Sequence, residues 1–335
     1  MLVVARTGTG VILFCLAAAA GNLVLPDLWD TVLASDLNAV EARSGLPSLI
    51  GPFTHPIDLG QVMALSAVAV ACWRAAVGTS LRSLALLVAT TAGAVLTARR
   101  TAVGSLAVAW VWLQTTVRST RVLVALAACL PVALVVFTGP VIQVAQSTYH
   151  DYLGKGTPEA RTVLTVDSFR VAADHFPVGA GFGRFGSATA AVNDSPEYEA
   201  RGYPTIWGLG RTEEDGRFLT DTEWPAVIGE TGFLGTAMFA LGLIGIYRAG
   251  RRLARDESRQ PVVRWAGLTL GGWLVAVLVQ SGATVSFTGP PVCGVFFGLV
   301  GMVTALADRP GVPDDHSRST PGTASRLRVS RTLSP

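Results

Sequence analysis

The stretch Leu81-Arg-Ser-Leu-Ala-Leu-Leu-Val-Ala-Thr-Thr-Ala-Gly-Ala-Val-Leu-Thr-Ala-Arg99-Arg100-Thr-Ala-Val-Gly-Ser-Leu-Ala-Val-Ala-Trp-Val-Trp-Leu-Gln-Thr-Thr-Val117 decides the fold. It holds two apolar runs, about 82–98 and 101–117, that meet at a pair of arginines. Each run sits at the short end of the roughly 17–25 apolar residues that cross a bilayer as a helix. Two such crossings joined at Arg99-Arg100 make a hairpin. Its tip places two guanidinium groups at a membrane surface, where charge is costly unless it reaches the interface or binds something. Snorkelling to lipid headgroups is one explanation; a planar fork that grips phosphate oxygens is the other.

Working outward, six further runs have similar length: about 7–25, 57–77, 122–143, 225–247, 263–283 and 287–307. The first is read as a retained anchor, with a signal peptide as the alternative because Arg6 precedes an apolar stretch ending in the small residues 17–20. The expected fold is therefore all-α, a polytopic transmembrane bundle of about eight spans with one large extracytoplasmic loop containing short helices. The expected divisions are membrane helices over 1–143, the loop over 144–222, membrane helices over 223–307 and a disordered cytoplasmic tail over 308–335. Composition agrees. Half of the 335 residues are hydrophobic and only 15% are charged, against about 25% in a soluble domain. Mean hydropathy is +0.47. This excludes a disordered chain, a disulfide scaffold and an ordinary cytosolic enzyme. The net charge of +3 gives no reason to expect nucleic acid. Four dispersed cysteines and four scattered histidines suggest no metal site, and no cofactor is expected.

Positive charge sets orientation. Arg74 and Arg82, Arg118 and Arg121, the six arginines between 248 and 264, and the arginines of the tail all fall in one set of connections. Placing that set in the cytoplasm puts both termini inside. The first link and the segment 144–222 then lie outside. Arg99-Arg100 lies outside too, against the trend.

The outside segment carries seven basic and eleven acidic residues, a net of −4. Topology does not explain its arginines. Solvated surface accounts for most of them. Residues 161–175 have helical spacing, and Val163, Val166, Phe169 and Val171 suggest an amphipathic helix near the membrane surface that Pro177 ends. Gly181, Gly183 and Gly186 form a literal G-x-G-x-x-G. Without a βαβ context it reads as a turn that lets backbone approach a helix or a ligand, not a dinucleotide site. Tyr198, Tyr203 and Trp207 suit either stacking on sugars or packing of the loop. Asp221 and Glu223 fall at the outer boundary of the sixth span. Glu230 falls one to two turns inside it, and an intramembrane acid is a functional candidate or an arginine's partner.

In order, these features resemble the bacterial O-antigen ligase and polysaccharide polymerase family. Gly51-Pro-Phe-Thr-His-Pro56 resembles its Gly-x-Phe-x-x-Pro motif at the start of a span. Arg99-Arg100-Thr-Ala resembles its Ser-Arg-(Gly/Thr)-Ala motif, with Arg99 in place of Ser. Arg161 with Phe176-Pro-Val-Gly-Ala-Gly-Phe-Gly183 resembles its Arg…Pro-Leu-x-Gly-x-Gly pattern. Thr220-Asp-Thr-Glu-Trp224 and Glu230-Thr-Gly-Phe-Leu-Gly235 resemble its closing motifs. The likeness covers about 43–250. Thr220 stands where the ligase branch has His, and the family commonly has more spans.

The resemblance implies a polysaccharide polymerase of the bacterial cytoplasmic membrane, a multi-pass glycosyltransferase acting without a metal at the outer face. Donor and acceptor would be glycans on polyprenyl pyrophosphate, with the lipid bilayer and other polysaccharide export components as further partners. Arg100 and Arg161, then Arg99 and Arg217, would hold the pyrophosphate. Asp221, then Glu223 and Glu230, would be the base. The alternatives are an O-antigen-ligase-type transferase, a polysaccharide or lipid-linked sugar transporter (a flippase), or a non-catalytic subunit of an export complex.

Overall fold

A computed structural model describes residues 2–25, 42–43, 46–120, 124, 127, 160–212, 214–215 and 219–308. Most of the expected fifth span, all of 144–159, Arg217 and the tail beyond 308 lie outside the described residues. Apart from a two-stranded ladder, β1 (Ala42–Arg43) against β2 (Leu46–Pro47), every described element is helical. The bundle consists of α1 (Leu2–Val24), α2 (Pro56–Ala76), α3 (Leu81–Leu96), α4 (Arg100–Val117), α8 (Glu223–Arg255), α9 (Pro261–Gln280) and α10 (Val292–Ala307). Between α4 and α8 come α5 (Ala160–Asp174), α6 (Ala188–Val192), α7 (Pro196–Ala200) and a 3-10 turn at Tyr203–Thr205.

Four helices, α1, α2, α8 and α9, are long and apolar enough to cross a membrane, as suits a helical membrane protein. Local chemistry sets their ends. Pro56 opens α2, and the Nδ1 atom of His55 accepts from Ile57 N–H. Ser80 and Ser83 form a reciprocal capping box on α3. Arg118 ends α4 in a left-handed conformation. α2 is the central element, most of its length buried among α3, α4 and α9. Trp265 and Trp273 of α9 donate their indole N–H groups to the carbonyls of Ala69 and Leu65 on α2. α8 and α9 cross backbone to backbone. A Cβ on Gly267 would lie 2.6 Å from the Gly250 carbonyl oxygen.

The helices alternate in direction, so their connections gather at two ends. At one end the Asn22 amide oxygen accepts from Ile50 and Gly51 N–H, Ser48 Oγ donates to the Thr97 carbonyl, and Gln61 Nε2 donates to Ser286 Oγ. Arg99 and Arg100 lie at this end. The opposite end carries Arg6, Arg74, Arg82, Arg118 and the arginines from 248 to 264, and there Arg259 donates to the Leu306 carbonyl. The two arginine sets separated on sequence are thus separated in space.

α8 is not one continuous rod. At 1.5 Å per residue its 33 residues would span about 50 Å, well beyond a hydrocarbon core of about 30 Å. Gly232 breaks it with φ 65° and ψ −171°. The chain reverses there, because Thr236 Oγ1 reaches back to the Val227 carbonyl at 3.4 Å and the Trp224 and Phe239 rings meet at 6.1 Å. Residues 223–231 therefore form a short arm folded back along the start of the helix that follows. Glu230, expected one to two turns inside the sixth span, lies in this arm.

The segment from 160 to 219 has its own core, made by Leu164, Val171, Phe185, Tyr198, Tyr203, Leu209 and Leu219. Phe185, Tyr198 and Tyr203 pack as an aromatic trio with centroids 5.3–6.3 Å apart. Tyr198 and Tyr203 are buried, so packing is their role and sugar stacking is not. The inward face of α5 is Leu164, Asp167, Ser168 and Val171, while Val166 and Phe169 of the expected apolar face are exposed. Asp167 is kept inside by two donors, Arg170 at 2.7 Å and the Tyr203 hydroxyl at 3.1 Å. Burial and the neighbouring Asp167 carboxylate push the Tyr203 phenol far above its usual range, so it remains a donor.

Candidate functional site

Three acids were expected to serve as the base, and the structure gives them different surroundings. Asp221 directly precedes the N-cap of α8. One of its carboxylate oxygens receives the Arg161 guanidinium at 2.7 Å, and both side chains are about one-third exposed, at 32% and 33%. Arg161 is delivered by the first turn of α5, whose packing against α8 brings together two residues 60 apart in sequence.

Glu223 is buried. Its Oε2 accepts from the backbone N–H groups of Ser286 and Phe287 at 2.7 and 3.0 Å, and its Oε1 accepts from Thr288 Oγ1 at 2.9 Å. It clasps the connection between α9 and α10. Trp224 adds a hydrogen bond from its indole to Ser281 Oγ. Glu230 is buried as well, accepting from Phe185 N–H at 3.1 Å and Ser187 Oγ at 2.5 Å. Both carboxylates hold backbone in place, and Asp221 is the one of the three that solvent reaches.

The glycine-rich turn holds the site's geometry. The end of the arm exposes carbonyls with no partner in its own helix. Ala180 N–H and Gly181 N–H take the carbonyls of Gly229 and Glu230, at 2.9 and 3.0 Å, and Leu234 N–H takes the Pro177 carbonyl. Gly179 (φ +74°) and Gly232 (φ +65°) touch back to back; a Cβ on either would lie 2.4 Å from the other's nitrogen. Gly186 lies equally close to Ala226. The expected approach of backbone to a helix is the one seen, and it welds the domain to the arm that carries Asp221 and Glu223.

Arg99 and Arg100 open α4 at the same end of the bundle, Arg99 half-buried and Arg100 exposed. Arg217 lies outside the described residues. Most other arginines of the domain are surface ion pairs: Arg170 with Asp167, Arg201 with Glu197 and Asp174, Arg211 with Glu199. Arg184 differs. It is exposed within the glycine-rich turn and has no acidic partner among the described residues. Asp58, half-buried in the first turn of α2 at the same end, also escaped sequence reasoning. Its only signal was an acid at a helix start, which reads as ordinary favourable placement near the helix N-terminus. Among the described residues no group of three His, Cys, Asp or Glu side chains is close enough to hold a metal ion.

No protein-family model matches this chain, and no curated protein matches it.

Proposed function

We propose that the protein is a polysaccharide polymerase of the bacterial cytoplasmic membrane, joining glycans carried on polyprenyl pyrophosphate at the outer face. One observation carries the reading: an accessible Arg161–Asp221 pair, held by a folded domain at the end of the bundle remote from the arginine-rich connections. Arg99 and Arg100 share that end.

In this reading the acceptor hydroxyl attacks the anomeric carbon of the donor. The bond from that carbon to the pyrophosphate oxygen breaks, and polyprenyl pyrophosphate leaves with the electron pair. Arg161 and Arg100 take the charge that develops on it. Asp221 takes the hydroxyl proton. The ion pair gives the step an order. While Arg161 holds Asp221, a carboxylate oxygen is occupied by the guanidinium. When pyrophosphate draws the guanidinium away, Asp221 is released to act. Glu223 and Glu230 serve as positioning residues, one for the arm and one for the glycine-rich turn.

A transporter is the second reading, since α8 is a broken helix of the sort that lines transport sites. The break lies in the first third of α8, toward the Arg99 end, whereas transporter breaks lie near the midplane. The test is the size distribution of lipid-linked glycans in cells carrying Arg161→Ala or Arg100→Ala. Single-repeat intermediates should accumulate while the protein stays in the membrane. Normal long-chain polymer from both variants would overturn the proposal.

A further inference from the structure

A groove of about 940 Å³ runs between α1, α2, α3, α9 and α10, within the roughly 300–1,000 Å³ of ligand sites. Its walls are apolar, with Trp73, Trp265 and Trp273 among them. Two of these indoles are fixed by their bonds to α2 carbonyls, so the wall is preformed.

Its charged lining residues are all basic. Arg6 and Arg82 line it at the Arg74 end, with Ser80 and Ser83 beside them, and no carboxylate lines it among the described residues. At the Arg99 end stands Asp58, one helical turn before the lining residue Val62 on the same stripe of α2. An anionic headgroup is attracted to the end lined by Arg6 and Arg82.

The geometry points to a binding site for an anionic membrane phospholipid, its acyl chains in the groove and its phosphate between Arg6 and Arg82. The inference does not rest on glycosyl transfer. The basic end of the groove also lies away from the Arg99 end, where the pyrophosphate is proposed to bind.

The test uses the full chain purified in detergent, titrated with phosphatidylglycerol or phosphatidylcholine of identical chains and followed by thermal stabilisation and by native mass spectrometry. Phosphatidylglycerol should bind more tightly. Arg6→Gln with Arg82→Gln should weaken it about thirtyfold, roughly fivefold for each arginine, and leave phosphatidylcholine unchanged. Both arginines are exposed, so the fold should survive their loss. Val295→Trp, which fills the groove from an exposed position, should reduce retention of both lipids. Equal binding of the two lipids by the unaltered protein would overturn the proposal, as would a preference that survives the double substitution.

Discussion

Replacing Gly232 with alanine should detach the 160–219 domain from α8. Two costs add. The residue sits at φ 65°, where a side chain costs about 1–2 kcal/mol. The new methyl group would also lie 2.4 Å from Gly179 N, 2.5 Å from the Pro177 oxygen and 2.7 Å from the Val178 carbonyl carbon. All three are backbone atoms, so no rotamer change relieves the overlap and the turn itself must move, at about 1–3 kcal/mol more. The sum is about 2–5 kcal/mol. Where cleavage follows the opened population, that raises proteolysis of the 176–190 region by roughly thirtyfold to several thousandfold. The assay is limited proteolysis of the purified protein with sites read by mass spectrometry. Gly181→Ala is the internal control. It is strained at φ +93° but meets nothing within 4 Å, so its cleavage should rise far less. An unchanged cleavage rate in Gly232→Ala, or equal rates in the two variants, would refute the idea that the glycine contact is the weld.

Other expectations follow from the same geometry. Arg161→Ala and Asp221→Ala should each change stability by less than about 1 kcal/mol, since a part-exposed ion pair contributes little, yet each should abolish polymer formation; a matching loss of folded protein would make the pair structural. Arg161→Lys should restore little polymer if the planar fork matters, and full recovery would show that charge alone suffices. Glu223→Gln should lower the melting temperature through about 1.5–3 kcal/mol of lost charge-assisted bonding, and an unaltered melting temperature would remove it as a clasp. Because the Tyr203 phenol titrates higher in the folded state than in the unfolded chain, its contribution to stability is complete below about pH 10 and falls as pH rises above that. Unfolding rates measured across alkaline pH should therefore steepen less in Tyr203→Phe than in the unaltered protein; identical slopes would contradict this.

The apolar helices were legible because their signal is local. Length and apolarity within one window identified α2, α8 and α9, and the arginine asymmetry predicted which connections share an end. The reversal in α8 was not legible. Thr231-Gly232-Phe233 lies within the run 225–247 that reads as one span, and nothing local marks Gly232 out from Gly229 and Gly235 as the one that breaks it. What turns the chain is a contact with Gly179, far away in sequence. The site divides in the same way. Arg161, Asp221, Glu223 and Glu230 were all singled out, but their unlike surroundings depend on long-range packing. Glu223 becomes a clasp only because Ser286 and Phe287 present their N–H groups to it. Tyr198 and Tyr203 carried no mark that would distinguish a buried trio from a binding platform.

The reversal at Gly232 also bears on what the arm is tied to. The straight part of α8 after the break is 233–255, about 35 Å long at helical rise, and the arm before it is a separate short piece. Were the arm and the helix straight, Glu223 and Glu230 would lose the donors supplied by 286–288 and by Phe185 and Ser187. Seating the arm therefore couples it to two segments on either side of it in sequence, 185–187 and 286–288.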